Sequence, residues 1–106
     1  MPQTVFETVA QDLLARHPAD EVGTMLQSPG LKTSGKFYGF AAGDDLVVKL
    51  PADRVVELID AGDGLPCSPR PGAPMKEWVK IPEPDESTAM SFLMEARAFV
   101  ALVNGR

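Results

Sequence analysis

The stretch KFYGFAAGDDLVVKL, residues 36–50, decides the fold of this chain. Its first seven residues are rich in aromatic side chains and fit a β-strand. The glycine and two aspartates at 43–45 predict a turn. After the turn, Leu46, Val48 and Leu50 fall on one face of a second strand, and the residues between them fall on the other face. The stretch therefore predicts two antiparallel strands.

The residues before this stretch predict one further strand. Residues 20–30 alternate weakly between apolar and polar side chains, and Ser28-Pro29-Gly30 interrupts them. Because proline removes a ladder hydrogen bond from a central strand, we expect a single bent, short or edge strand here. A tight turn at residues 33–36 joins it to the aromatic strand. Three consecutive strands joined by short turns predict an antiparallel meander.

Three segments show the spacing of apolar residues that is typical of amphipathic helices. They are residues 4–16, 52–61 and 85–104. The last helix has the largest apolar stripe, which includes Phe92, Leu93, Ala96 and Val100. We expect it to pack across the sheet.

Four prolines in residues 63–75 exclude a regular helix there. We expect a stiff crossing segment with one short edge strand around residues 65–68. Residues 75–81, MKEWVKI, predict another strand, with Lys76, Trp78 and Lys80 on one face.

The predicted order of elements is therefore α-β-β-β-α-β-β-α. This order predicts a two-layer α+β fold with a mostly antiparallel five-stranded sheet packed against helices. With 106 residues, the chain has the length of one domain, and we expect residues 1–106 to form it.

Composition excludes several classes of protein. Ten Lys and Arg against fifteen Asp and Glu leave a net charge of −5, which argues against a nonspecific polyphosphate binder. One His and one Cys exclude an internal disulfide and a Cys/His zinc site within one chain. We expect no signal peptide, because residues 1–17 are amphipathic and carry acids, and the sequence has no apolar run of the ~20 residues that span a bilayer. We expect a cytoplasmic protein without a membrane partner, since one unpaired cysteine suits a reducing compartment.

Charge is distributed unevenly along the chain, and the sheet-forming middle is the candidate site. Residues 1–29 and 83–106 are acidic, whereas residues 30–82 are balanced. The candidate interaction face is Lys49, Arg70, Lys76, Trp78 and Lys80. A tryptophan between cations can stack on a base or bind an anionic partner. In the alternative interpretation, Trp78 packs beneath a helix while the lysine stems reach water.

Several strings resemble the TfoX N-terminal domain family, which is named for a bacterial regulator of natural competence. The strongest is residues 68–82, SPRPGAPMKEWVKIP, where the family has Pro-x-x-x-Pro-Met-Lys before an aromatic strand. Others are Gly35-Lys36 before an aromatic strand and a strand that ends in Lys49-Leu50-Pro51. Residues 26–28 depart from the Phe-Gly-Gly of the family hairpin. The resemblance covers residues 4–103 and implies a small stand-alone bacterial member without the family's second, C-terminal domain.

Two functions follow from the residues and the resemblance. The first is a non-catalytic interaction or regulatory module that contacts another protein, with a homodimer as one partner state through the sheet edges. The alternative is a nucleic-acid-binding transcriptional regulator that uses the Lys/Trp face, against which the net charge argues. No catalytic set can be assembled from the residues, so we predict neither an enzyme nor a metal or cofactor.

Overall fold

The computed structural model describes residues 3–25, 28–66 and 77–104. In chain order these residues form α1 (Gln3–Arg16), β1 (Glu21–Met25), β2 (Ser28–Thr33), β3 (Lys36–Ala42), β4 (Asp45–Lys49), α2 (Ala52–Asp60), β5 (Leu65–Pro66), β6 (Trp78–Ile81) and α3 (Glu86–Asn104). The strands form one antiparallel sheet in the order β1-β2-β3-β4-β6-β5. The chain is an α+β protein, as the sequence predicts.

The predicted count of five strands is wrong, because the described residues form six. Residues 20–30 contain β1 and the start of β2, which pair as a hairpin with Thr24 opposite Pro29. In an antiparallel ladder, successive residues direct their hydrogen-bonding groups to opposite neighbours. The nitrogen of Pro29 therefore faces β3, beyond the last β2–β3 pair, Gly30 with Phe40. The proline ends that pairing and leaves the β1–β2 ladder intact.

The remaining predicted elements lie close to the observed ones. The helices differ from the predicted bounds by one residue at an end. The edge strand predicted at 65–68 corresponds to β5, and the strand predicted at 75–81 corresponds to β6. Residues 67–76, which separate β5 and β6 and carry three of the prolines, lie outside the described ranges.

Two tight turns connect the central strands. Ser34 and Gly35 have φ of +52° and +80°, the left-handed values that a two-residue type I′ hairpin requires. Gly43 has φ of +62° in the turn from β3 to β4. These turns fix the register of the meander and so determine which side chains share a face.

All three described helices contribute to one core on one side of the sheet, which we call the helix side. Helix α3 lies across β3 and β4, α1 packs against α3, and α2 packs against β6. The buried stripe of α3 consists of Ala89, Leu93, Ala96 and Val100. At Gly39, a Cβ atom would lie 2.4 Å from Cδ2 of Leu93, so the glycine permits close approach of helix and strand.

A β-bulge changes the alternation of side chains in β3. Leu31 pairs with Gly39 and the next residue of β2 pairs with Phe37, which leaves Tyr38 as an extra residue. Tyr38 is fully buried in the core on the helix side. Phe37 and Phe40, on either side of the bulge, belong to a cluster on the opposite side.

Candidate interaction surface

The side of the sheet turned away from the three described helices carries a second apolar cluster. Phe40, Val47 and Trp78 form it, one from each of β3, β4 and β6, with Phe37 and Ala42 packed against them. The ring centroids of Phe40 and Trp78 lie 5.8 Å apart with the rings tilted by 56°. Only 8% of Trp78 is exposed. The tryptophan therefore acts mainly as a packing residue of this cluster.

Three lysines surround this cluster. Nζ of Lys32 lies 5.4 Å from the ring centroid of Phe37, and Nζ of Lys49 lies 5.9 Å from that of Trp78. Lys80 lies opposite the buried valine of β4 and so projects on the same side. Both ring contacts are within the range of cation–π attraction. The lysine–aromatic face is defined by Lys32, Phe37, Phe40, Val47, Lys49, Trp78 and Lys80.

Arginines and lysines differ in their pairing throughout the described ranges. Each of the three arginines is ion-paired, Arg16 with Asp12, Arg54 with Glu95 and Arg97 with Asp20, at 2.7–3.2 Å. The four lysines of these ranges, Lys32, Lys36, Lys49 and Lys80, form no ion pair. The ammonium groups of the lysine–aromatic face thus form no ion pair within the described ranges.

Three carboxylates stand at the margins of this face, and one of them, Glu77, lines the same cavity as Lys49. Glu21 lies opposite Lys32 at the start of β1, and Asp45 lies opposite Ala42 at the start of β4. Oδ1 of Asp45 accepts a hydrogen bond of 3.1 Å from the backbone N–H of Glu83. The centre of the face is therefore cationic on a chain whose net charge is −5.

The structure brings together three of the five residues predicted for the candidate site. Lys49 and Trp78 are register partners, and Lys80 lies on the same face two residues along β6. Arg70 and Lys76 lie outside the described residues.

Lys32 and Phe37 belong to this face and were not predicted from the sequence. They are register partners in the β2–β3 hairpin. The signal that could have found them is the tight turn at residues 33–36, since a two-residue hairpin loop fixes which residues lie opposite each other.

A buried polar cluster lies on the helix side, and the sequence did not reveal it as a unit. Nε of Arg97 donates to Oδ2 of Asp20 at 2.7 Å, and Nη2 donates to Oδ1 at 3.2 Å. The Tyr38 hydroxyl donates to Oδ2 of Asp20 at 3.1 Å, and Thr33 forms a further side-chain hydrogen bond with the same carboxylate. The cluster joins the turn before β1, the bulge of β3 and the middle of α3.

The pKa values of this cluster keep its charge state fixed near neutral pH. Burial by itself raises the pKa of the Asp20 carboxyl, but the hydrogen bonds from Arg97, Thr33 and Tyr38 outweigh it and place the pKa below its usual 3.8. Burial and the charge of Asp20 raise the pKa of the Tyr38 hydroxyl well above its usual 10.0. An ionised Asp20 and a neutral Tyr38 suit a structural cluster better than proton transfer at pH 7.

A further concave region lies between the loop after α2 and the start of α3. It has a volume of about 530 Å³, and its lining includes Asp63, Glu83 and Asp85. Asp85 is occupied as the cap of α3, because its Oδ1 accepts the N–H of Thr88 at 2.7 Å. Within the described ranges, no group of three or more His, Cys, Asp or Glu side chains is placed to hold a metal ion.

Among the helices of the described residues, none combines the length and the apolar character needed to cross a bilayer. No family model, no curated protein and no solved structure matches this chain.

Proposed function

We propose that this chain is a non-catalytic interaction module whose lysine–aromatic face binds an acidic segment of another protein. One observation carries the proposal: Lys49 and Lys80 project, without ion-pair partners, beside a packed aromatic cluster on the side of the sheet that the described helices leave uncovered. Ammonium groups held beside a buried aromatic cluster complement the carboxylate side chains of an acidic segment.

The burial of Trp78 favours a protein partner over nucleic acid. Single-stranded nucleic acid binds to sheet surfaces by stacking bases on exposed rings. The ring of Trp78 is packed against Phe40 and lies below Nζ of Lys49, so it is not offered for stacking. A nucleic-acid-binding regulator remains the alternative function, since the unpaired lysines would also meet phosphate groups.

Two further parts of the proposal rest on the sequence. A single cysteine, Cys67, favours a reducing compartment such as the cytoplasm. The resemblance to TfoX N-terminal domains, and with it a regulatory role in a bacterium, stays a prediction.

The test uses Trp78 as an internal reporter, because it is the only tryptophan in the chain. The protein is titrated at low salt with a polyglutamate peptide and, separately, with a single-stranded oligonucleotide of equal charge. We expect polyglutamate to bind more tightly and to change the emission of Trp78. Replacing two lysines of the face, K49Q with K80Q, should weaken this binding about tenfold, the equivalent of ~0.7 kcal/mol per lysine.

The matched control is the double variant R16Q with R54Q. It removes the same two positive charges, but from α1 and α2 on the helix side. We expect its affinity for polyglutamate to stay within a factor of two or so of the unaltered protein. Equal losses in both double variants, or no response of Trp78 to polyglutamate, would contradict the proposed surface. Tighter binding of the oligonucleotide, with strong salt dependence, would support the alternative function.

A further inference from the structure

A cavity lies where the last turns of α3 cross one end of the sheet, and it has a volume of about 230 Å³. The described residues that line it are Lys36, Lys49, Glu77, Phe99, Val100 and Val103. Lys36 begins β3, Lys49 ends β4 and Glu77 directly precedes β6, so all three belong to the same end of the antiparallel sheet. The cavity shares only Lys49 with the lysine–aromatic face.

Helix α3 contributes an apolar wall that is partly open to water. Phe99, Val100 and Val103 lie on the last two turns of this helix. Val100 is buried in the core, whereas Phe99 is half-buried and Val103 is 40% exposed. Because removing apolar surface from water favours association, this wall suits the apolar part of a ligand.

The strands contribute charged residues to the lining. Phe37 and Trp78 belong to the cluster on the far side of the sheet, so their chain neighbours Lys36 and Glu77 project to the helix side, where α3 lies. Strands β3 and β6 flank β4, which separates them by about 10 Å. Neither Lys36 nor Glu77 forms an ion pair within the described ranges. With Lys49, the lining holds two ammonium groups and one carboxylate, a net charge of +1.

We propose that this cavity binds a small organic monoanion, in which an apolar ring or branched chain carries one carboxylate. The carboxylate lies at Lys36, with Lys49 in reach on its flexible stem, and the apolar body lies against Phe99 and Val103. An uncharged apolar molecule would leave the ammonium groups without a partner, and an inorganic anion would leave the apolar wall uncovered.

The volume of the cavity sets the size of this ligand. An enclosed cavity of about 150 Å³ holds one benzene molecule. The cavity at α3, with about 230 Å³, therefore accommodates one such ring together with a carboxylate group.

The test compares phenylacetate with two reference compounds. Phenylacetamide has the same shape without the charge, and acetate has the charge without the ring. Titrations at low salt are followed by the NMR signals of the Val100 and Val103 methyl groups and by the emission of Trp78, whose ring centroid lies 5.9 Å from Nζ of Lys49. We expect phenylacetate to bind with a Kd of about 1 mM or lower, and both reference compounds to bind at least about tenfold more weakly.

Three single variants test the roles of the charged residues. K36Q removes a charge from the cavity and should weaken phenylacetate binding about tenfold. K80Q removes the same charge from the lysine–aromatic face, outside the cavity, and should change the affinity by no more than a factor of two or so. E77Q removes the carboxylate that repels the ligand and should strengthen binding about twofold.

A second pair of variants tests the apolar wall. V103W fills the cavity and should abolish phenylacetate binding, measured through the Val100 signals. V56W makes the same replacement at an exposed valine of α2 and should leave binding unchanged. Equal affinities for phenylacetate and phenylacetamide, or for K36Q and K80Q, would overturn the proposal. Binding to V103W as tight as to V56W would overturn it as well.

A purely structural role of Lys36 gives a different result. The last turn of α3 carries no basic residue, and a lysine near the C-terminal end of a helix stabilises it. If this were its only role, K36Q would unfold at a lower temperature and the unaltered protein would show no saturable response to phenylacetate, which would overturn the proposal. Polyglutamate should bind K36Q as tightly as the unaltered protein, because Lys36 is not part of the lysine–aromatic face, so the two proposals are tested separately.

Discussion

The two sides of the sheet differ in how their charged side chains are paired. On the helix side, Arg97 forms a two-bond ion pair with Asp20, whose side chain is 1% exposed. On the other side, Lys32 and Lys49 lie over aromatic rings and form no ion pair. The planar guanidinium suits a fixed, buried pair, whereas the ammonium on a flexible stem stays hydrated and available.

This difference separates stability from recognition. On the helix side, the ion pair of Arg97 with Asp20 is directed inward and connects elements that are distant in the chain. The ammonium groups of the lysine–aromatic face are directed outward. We expect their removal to leave the apolar packing below them largely intact. We therefore expect substitutions on the helix side to lower the free energy of unfolding more than matched substitutions in the lysine–aromatic face.

The largest expected effect is the loss of the buried ion pair. Arg97→Met leaves the Asp20 carboxylate buried without its main partner, and should lower the free energy of unfolding by about 3–5 kcal/mol. Lys49→Met, the same replacement on the other side, removes one exposed cation–π contact and should cost less than about 1 kcal/mol. Urea unfolding at pH 7, followed by Trp78 emission, measures both. Similar losses would contradict the contrast between the two sides.

A smaller effect is expected from adding one methyl group on each side. Gly39→Ala places a Cβ against Leu93, which is fully buried and cannot move aside, and should cost about 1–3 kcal/mol. Gly23→Ala places a Cβ at 3.0 Å from Cε of Lys32 and Cζ of Phe37, the far ends of two side chains. It should change stability by no more than about 0.5 kcal/mol. Thermal unfolding of both variants measures whether the lysine–aromatic face tolerates an added methyl group better than the core does.

A further expected effect concerns pH and the only tyrosine of the chain. Tyr38→Phe should cost about 1 kcal/mol at pH 7, because Asp20 keeps its hydrogen bonds from Arg97 and Thr33. The pKa of Tyr38 is raised in the folded state, so its contribution is complete below the usual pKa of 10.0 and is lost as pH rises above it. Tyr38→Phe has no hydroxyl to ionise, so its stability does not fall for this reason as pH rises.

The stability difference between the unaltered protein and Tyr38→Phe should therefore shrink above pH 10. Chemical unfolding at pH 7 and at stepwise higher pH measures it. A difference that stays constant would show that Tyr38 titrates with its usual pKa and is not buried beside Asp20. In acid the sign is opposite for Asp20: its pKa is lowered, so its contribution is lost as pH falls below 3.8.

Alternation within β6 was predictable, and the predicted candidate site contains three of the seven residues of the lysine–aromatic face. In β6 the sequence alone places Trp78 and Lys80 together, and the structure adds Lys49 as a register partner. The alternation of side chains can be predicted where a strand is regular, because a repeat of two residues is visible in the local sequence. The bulge at Tyr38 breaks that period, and it depends on the pairing of β2 with β3.

The ion pair of Asp20 with Arg97 was not predictable in the same way. The partners are 77 positions apart, so no local pattern joins them. One signal was present: Arg97 lies four residues after Leu93 and three before Val100, on the apolar stripe of α3. An arginine in such a stripe requires a buried partner, but only the tertiary fold identifies which carboxylate supplies it. The prediction of a single strand around Pro29 was wrong for a related reason. The cost of a proline in a sheet depends on which neighbouring strand its nitrogen faces, and only the pairing of the strands shows that.

The position of α3 in the chain has a consequence for the nascent protein. This helix of 19 residues follows every strand, and it supplies the main cover over β3 and β4. At a synthesis rate of about 5–20 residues per second, the ribosome takes about 1–4 s to make it. Until α3 has formed and packed, the apolar surface of the sheet that it covers is open to chaperones and to neighbouring chains.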